Sequence, residues 1–319
     1  MSESIPTKFL YVRDAAELPG PLPTLSEIHN SPDSQLSPRR TSVSSLGGVA
    51  VVSGIYFVKY GENVTEYEGN ALLFVEKHLQ IGAPRLYAMY RDETSGCFYL
   101  IMEYIQGVNL ESIWSTLFTE SKVSVAMQLK DVFDQMRSLK PPDNFIGGID
   151  GGILRDSPFE TEDPDPRING PFKSSDEVGQ ALALALQSFW EENGRGHSVW
   201  LPRFFTQQLG TALKDHPARF THTDLHMRNV VVERVLKPSM SGNAEVDGEE
   251  AEQDYEYRVK GLVDWESAGW YPAYWEYASA LARGHEQNDW PDYVGKMLQP
   301  YPLELSMIFL VLQDLQLMY

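Results

Sequence analysis

A single cysteine, Cys97, stands in the whole sequence. Neither an intramolecular disulfide nor a cysteine-based zinc site can form, which suits a reducing compartment. Positive charge is scarce as well: 26 Lys and Arg face 45 Asp and Glu, a formal net charge of −19. Phosphate backbones are bound by clustered cations that release counterions, so this balance argues against a nucleic-acid partner. No uninterrupted apolar run is long enough to span a bilayer. The nearest, Leu303 to Met318, is broken by Glu304, Gln313 and Asp314 and reads as a packed terminal helix. Met1 to Val12 has no basic stretch followed by an apolar core, the mark of a secretory leader. The expectation is a cytoplasmic protein with no membrane partner.

What is present is organised around Phe220-Thr221-His222-Thr223-Asp224-Leu225-His226-Met227-Arg228-Asn229, followed by the apolar run Val230-Val231-Val232. The pattern sets a carboxylate and a carboxamide five residues apart on a short loop leading into a buried strand. Phosphoryl transfer needs such a pair: Asp224 as the base for an attacking hydroxyl, and Asn229 as an amide oxygen ligand for the metal on the nucleotide phosphates. A capped turn would explain the same residues if they stood alone. Two other stretches argue against the plain turn. Gly261-Leu262-Val263-Asp264 is an apolar strand ending in an acid, where a second metal ligand belongs. Gly54-Ile55-Tyr56-Phe57-Val58-Lys59 is an apolar strand ending in a lysine, placed to pair with phosphates.

The 319 residues suffice for two lobes. From Leu18 to Thr41 the chain is rich in Pro and Ser, so residues 1–45 read as an irregular arm. Arg39-Arg40-Thr41-Ser42 within it has the look of a basic phosphorylation site, a match common by chance. Leu46 to Gly54 reads as a glycine-flanked hairpin, either covering phosphates or simply turning. Glu66 to Leu79 has helical apolar spacing. Glu68 is the acid expected to pair with Lys59, with Glu66 and Glu76 competing for that role. Pro84 to Tyr90 and Phe98 to Ile105 read as strands. The end of the second, Glu103-Tyr104-Ile105, is where adenine would meet main-chain groups.

Helices are expected at Leu110 to Leu117, Val123 to Leu139 and Asp176 to Glu192, with a passage from Pro141 to Pro171 too rich in breakers for regular structure. The acids of 238–256 repel one another and read as a solvated hairpin insertion. Trp270 to Tyr277 is an aromatic cluster best explained by core packing.

This ordered set, from the hairpin and Lys59 to His222-Thr223-Asp224, Asn229 and Asp264-Trp265-Glu266, resembles the aminoglycoside phosphotransferase and choline kinase branch of the protein-kinase-like fold. Trp114 and the segment Gly269-Trp270-Tyr271-Pro272 to Trp275-Glu276-Tyr277 are similar to the fungal phosphotransferase-domain type. The resemblance implies an α+β, bilobal protein-kinase-like fold with a small β-rich N-lobe and a larger helical C-lobe. Nucleotide would be held by an N-lobe of residues 46–105, and catalysis and acceptor binding would fall to a C-lobe of residues 106–319. It further implies ATP and Mg2+, Lys59 on the phosphates oriented by Glu68, Asp224 as base, Asn229 and Asp264 as metal ligands, and a structural His222. The acceptor would be a small-molecule hydroxyl, on an amine-bearing compound if the acidic second lobe selects cations. Thr223 departs from the glycine usual in the family, and the hairpin lacks a full G-x-G-x-x-G. A non-catalytic pseudokinase serving as a nucleotide- or protein-binding scaffold is the alternative, and the sequence leaves the oligomeric state open.

Overall fold

The computed structural model describes residues 7–32, 35–36, 47–142, 145–193, 200–237, 255–283 and 288–317. The basic segment at 39–42 and the acidic stretch 238–254 lie outside them. The fold is α+β and bilobal, of the protein-kinase-like class. One compact unit runs to Gln106 and takes in Gly261–Val263; the other holds Gly107–Lys260 and Asp264 onward.

The first unit is built on a six-stranded antiparallel sheet in the order β1-β5-β6-β4-β3-β2. Its strands are β1 (Thr7–Val12), β2 (Gln35–Leu36), β3 (Gly47–Val52), β4 (Tyr56–Gly61), β5 (Leu86–Asp92) and β6 (Phe98–Glu103). Strand period puts alternate residues on opposite faces. On β4, Tyr56, Val58 and Tyr60 are buried on one face, while Phe57 and Lys59 occupy the other. The first face packs under helix α1 (Leu25–His29), whose Ile28 is fully buried. Helix α2 (Glu66–His78) packs against β5 and β6. A Cβ on its Gly69 would lie 2.8 Å from Met89 Sδ and 2.9 Å from Leu100 Cδ1, so a side chain there would make these side-chain ends shift.

The arm expected to be irregular carries regular structure in its described part. Strand β1 forms the edge of the sheet beside β5, and a Thr24–Glu27 capping box starts α1. Its described prolines flank these elements rather than interrupt them, and β1 is held by a partner far along the chain, which local propensity does not reveal.

Of the two readings left open for the hairpin, the plain turn is the one that forms. Ser53 and Gly54 take φ of 55° and 64°, and Ile55 N–H bonds Val52 C=O at 3.1 Å, the two-residue turn with both central φ positive. Lys59 sits five residues beyond Gly54, about 17 Å along the strand, and pairs with Val49 near the opposite end of the hairpin. The turn is therefore not a phosphate cover. The connection that joins β2 to β3 at the Lys59 end, residues 37–46, lies outside the described residues.

The second unit is mainly helical. Strand β7 (Val108–Asn109) leads into α3 (Leu110–Ile113), then come α4 (Thr119–Ser138), β8 (Gly147–Gly148), α5 (Pro166–Asn169), α6 (Ser175–Glu192) and α7 (Trp200–Ala212). Next in order are β9 (Ala218–Thr221), β10 (Val230–Leu236), β11 (Tyr255–Leu262), β12 (Gly269–Pro272), α8 (Trp275–Ala282), α9 (Trp290–Met297) and α10 (Pro302–Asp314). Its core gathers Val178, Leu182 and Leu186 of α6, Leu209 of α7, Tyr271, Tyr274 and Trp275, and Ile308, Val311 and Leu312 of α10. The aromatic cluster is thus packing, as its composition suggested. Among the described residues no helix is long and apolar enough to cross a membrane.

Candidate functional site

In the first unit, β4 aims Lys59 at the face on which α2 packs. Its Nζ donates to both oxygens of Glu68, at 2.9 Å to Oε1 and 2.7 Å to Oε2. Glu68 is 4% exposed, so the pair is largely shielded from water, where charge-assisted bonds strengthen. Helix α2 begins at the Thr65 cap with Glu66 and Glu68 in its first turn, favourably placed against the helix dipole. Of the competing acids, Glu66 is exposed and Glu76 is bound to Arg13 and Arg85. At the end of β6, Glu103 N–H bonds Arg85 C=O and Tyr104 N–H bonds Ile55 C=O, both at 2.9 Å. Ile105 packs on Gly261, where an added Cβ would lie 2.8 Å from Ile105 Cδ1.

In the second unit, β9 delivers the chain into the loop holding Asp224, and a 3-10 turn at Met227–Asn229 carries it on into β10. Asn229 Nδ2 donates to Asp224 Oδ2 at 2.8 Å and to its C=O at 2.9 Å. Those acceptors fix the amide orientation and leave Oδ1 as the atom to offer a cation. Arg228 Nη2 lies 3.3 and 3.4 Å from the two Asp224 oxygens, and His226 Nε2 lies 3.3 Å from Oδ1. Burial pushes the Asp224 carboxyl up, but His226, Arg228, His222 and the Asn229 bond outweigh it and hold it below the usual carboxylate range. Asp224 is thus ionised at neutral pH, as a proton acceptor must be.

The loop is held by charges that sequence reasoning did not single out. Glu276 of α8, with no exposed surface, accepts His222 N–H at 2.7 Å and Thr223 N–H at 3.2 Å. Complete burial pushes its carboxyl up against the opposing pull of His222, Arg137 and the two amides. Arg283, at the end of α8, donates to Thr223 C=O at 3.4 Å and pairs with buried Asp156, which also accepts Trp275 Nε1–H at 2.7 Å. The available signal was an acid and an arginine inside an otherwise apolar stretch, where burial demands partners. Arg228, beside Asn229 in the motif, carried no such mark.

These contacts keep Thr223 in a left-handed conformation, φ 78°, uncommon for a β-branched residue. Its side chain is 1% exposed, and Oγ1 has no hydrogen-bond partner among the described residues. The resemblance expected glycine at this position, and the backbone shows why.

Asp264 also takes a positive φ, 71°. Trp265, next in sequence, stacks on Phe220 at 6.3 Å and meets His222 edge-on at 4.6 Å, which ties this turn to the loop holding Asp224. An oxygen of Asp264 and one of Glu266 lie within 4.8 Å of each other. Carboxylate oxygens are hard donors, the chemistry that suits Mg2+ over softer metals.

The sequence matches no family model and no curated protein. Solved structures do match: 96 chains share the arrangement. A thermostable mutant of aminoglycoside phosphotransferase APH(4)-Ia in apo form aligns at TM-score 0.54 and 16% identity, over 89% of this chain and 86% of that one. A ternary complex of a mutant of the same enzyme with ADP and hygromycin B aligns at 0.54 and 15%, over 91% and 88%. A gentamicin complex of APH(2")-IIa aligns at 0.52 and 11%, over 86% and 88%. The chain therefore has the protein-kinase-like fold found in aminoglycoside phosphotransferases. At such identities the likeness is one of fold.

Proposed function

We propose that this chain is an ATP- and Mg2+-dependent phosphotransferase that moves the γ-phosphoryl group of ATP to a hydroxyl of a small molecule. The carrying observation is the Asp224–Asn229 pair at 2.8 Å on a loop whose main chain is gripped by Glu276 and Arg283. Residues 46–105 serve nucleotide binding and 106–319 serve acceptor binding and catalysis. Lys59, held by Glu68, neutralises phosphate charge. Adenine bonds the Glu103 carbonyl and the Ile105 main chain, because the Tyr104 N–H is already committed. Asp224 accepts the hydroxyl proton as oxygen attacks the γ-phosphorus; Arg228, beside it, offsets the negative charge gathering there. Asn229 and Asp264 would hold Mg2+, which would supply positive charge to offset that of the phosphates. An amine-bearing acceptor is consistent with the acidic chain and with the hygromycin B and gentamicin bound by the neighbours.

A nucleotide- or partner-binding pseudokinase is the second reading. It is favoured by the absence of any glycine in 37–46, the stretch between β2 and β3. Thermal unfolding with MgATP and MgGTP separates the two. Ligand at a hundredfold over its dissociation constant adds about 2.7 kcal/mol of stability. A Mg2+-dependent shift that disappears in Asp264→Ala supports the enzyme, and no shift with either nucleotide supports the scaffold.

A further inference from the structure

The ion pair of Lys59 and Glu68 works only if α2 stays in register with β4; the helix buries Tyr67, Leu72 and Val75, and two further contacts bear on that register. One is Gly69, where the helix touches Met89 and Leu100 without a side chain of its own. Contact through a bare backbone brings the helix close but gives no knob to resist rotation or sliding. The second point lies seven residues on, about 10 Å along the axis, at Glu76.

Glu76 is gripped by the N-terminal segment. Arg13, only 8% exposed, follows β1 directly. Its N–H bonds Tyr87 C=O at 2.8 Å and its Nε bonds Leu86 C=O at 2.7 Å, which anchors it on β5. From there the guanidinium forks onto both oxygens of Glu76, with Nη1 to Oε1 at 3.1 Å and Nη2 to Oε2, while Nη1 also donates to Glu17 at 3.1 Å. Arg85 closes the ring, donating to Glu76 at 3.1 Å and Glu17 at 3.0 Å. Burial opposes the charge on Glu76, and the bonds from Arg13 and Arg85 outweigh it, keeping the carboxyl ionised below its ordinary range. Bidentate geometry of this kind fixes orientation as well as proximity.

We propose that Arg13 is a positioning residue for the phosphate-binding ion pair: the segment 7–17 clamps the far end of α2 through Glu76, and so holds Glu68 against Lys59. The segment is then a working part of the nucleotide unit, and losing or displacing it lowers nucleotide affinity with no change in any residue that touches nucleotide. The inference rests on the nucleotide-binding role of Lys59 given above. If breaking the clamp leaves the paired state at about one-tenth of the population, the apparent dissociation constant rises about tenfold.

Calorimetric titration of the full chain with MgATP, and separately with adenosine, tests this. Arg13→Gln is expected to weaken MgATP binding about tenfold and leave adenosine unchanged, with Arg13→Lys in between because it keeps charge without the fork. In a Lys59→Met background the same substitution should add less than twofold, since the pair it positions is already gone. A purely structural role would weaken both ligands, or would act equally in the two backgrounds; either result overturns the inference, as does unchanged MgATP affinity in Arg13→Gln. Should Arg13→Gln fail to fold, Glu76→Gln is expected to show the same selective loss, and failure of both to fold makes Arg13 structural and overturns it. Wild-type chain that binds no MgATP removes the nucleotide reading itself, and this inference with it.

Discussion

Thr223 offers a test of the loop geometry in which two substitutions that usually differ should come out level. At ordinary φ, Gly is less stable than Ala by roughly 0.5–1 kcal/mol, because the unfolded chain with Gly has more freedom to lose. At φ 78° an L-residue carries a left-handed penalty of about 1–2 kcal/mol, which glycine escapes. On backbone terms alone the difference favours Thr223→Gly over Thr223→Ala by about 0.5–1 kcal/mol. Against wild type, both variants lose a buried methyl and Thr223→Gly loses the β-carbon too, about 1 kcal/mol for each carbon, and both remove a buried hydroxyl with no partner among the described residues, whose desolvation costs about 1–3 kcal/mol. For Thr223→Gly those terms offset to within about 1 kcal/mol, so it should match or exceed wild type, and its extra lost carbon cancels the backbone advantage and leaves it level with Thr223→Ala. Urea midpoints at constant slope measure this directly. Ala above Gly by the ordinary backbone difference plus that carbon would mean that Thr223 is not left-handed and that the grip of Glu276 and Arg283 on this loop is misassigned.

Other outcomes follow from the same contacts. Lys59→Met should weaken MgATP at least tenfold while the fold persists, read by calorimetry; unchanged affinity would remove Lys59 from the phosphate site. Arg283→Ala leaves the buried Asp156 carboxylate without its cation and should cost about 3–5 kcal/mol in urea unfolding, and a loss under 1 kcal/mol would contradict the burial of that pair. Tyr99, stacked between Tyr60 and Tyr90, is pushed up to about 12, chiefly by burial. A phenol whose folded value is raised contributes stability that is full below the unfolded value near 10 and is lost as pH rises through 12. Tyr99→Phe should therefore flatten the loss of stability between pH 10 and 12 by on the order of 2 kcal/mol, and identical pH profiles would refute the shift.

The helices and strands that the sequence announced most clearly were those with strong period: α2, α4, α6, and strands β4 to β6. Their patterns are local, so composition and spacing reveal them. The hidden parts depend on distant partners. Strand β1 exists because β5 offers it an edge, and its own residues give no sign of that. The hairpin at Ser53–Gly54 was visible as a turn, but its distance from Lys59 depends on which strand end each residue occupies. The Lys59–Glu68 pair in the first unit and the Asp224–Asn229 loop in the second could be read because motif spacing encodes them. Glu276 and Arg283 could not, since what they hold is main chain more than fifty residues away in sequence, and only folding brings it to them.

The central claim is that Asp224 takes the proton from an acceptor hydroxyl as phosphate is transferred. Its most direct test is ADP formation from MgATP by wild type and Asp224→Ala, with hydroxylated amines supplied as acceptors and nucleotide binding checked by calorimetry. Acceptor-stimulated ADP formation by wild type is expected to be abolished in the variant, with MgATP binding nearly intact. Equal turnover by the two proteins, or acceptor-stimulated turnover retained in Asp224→Ala, would contradict it.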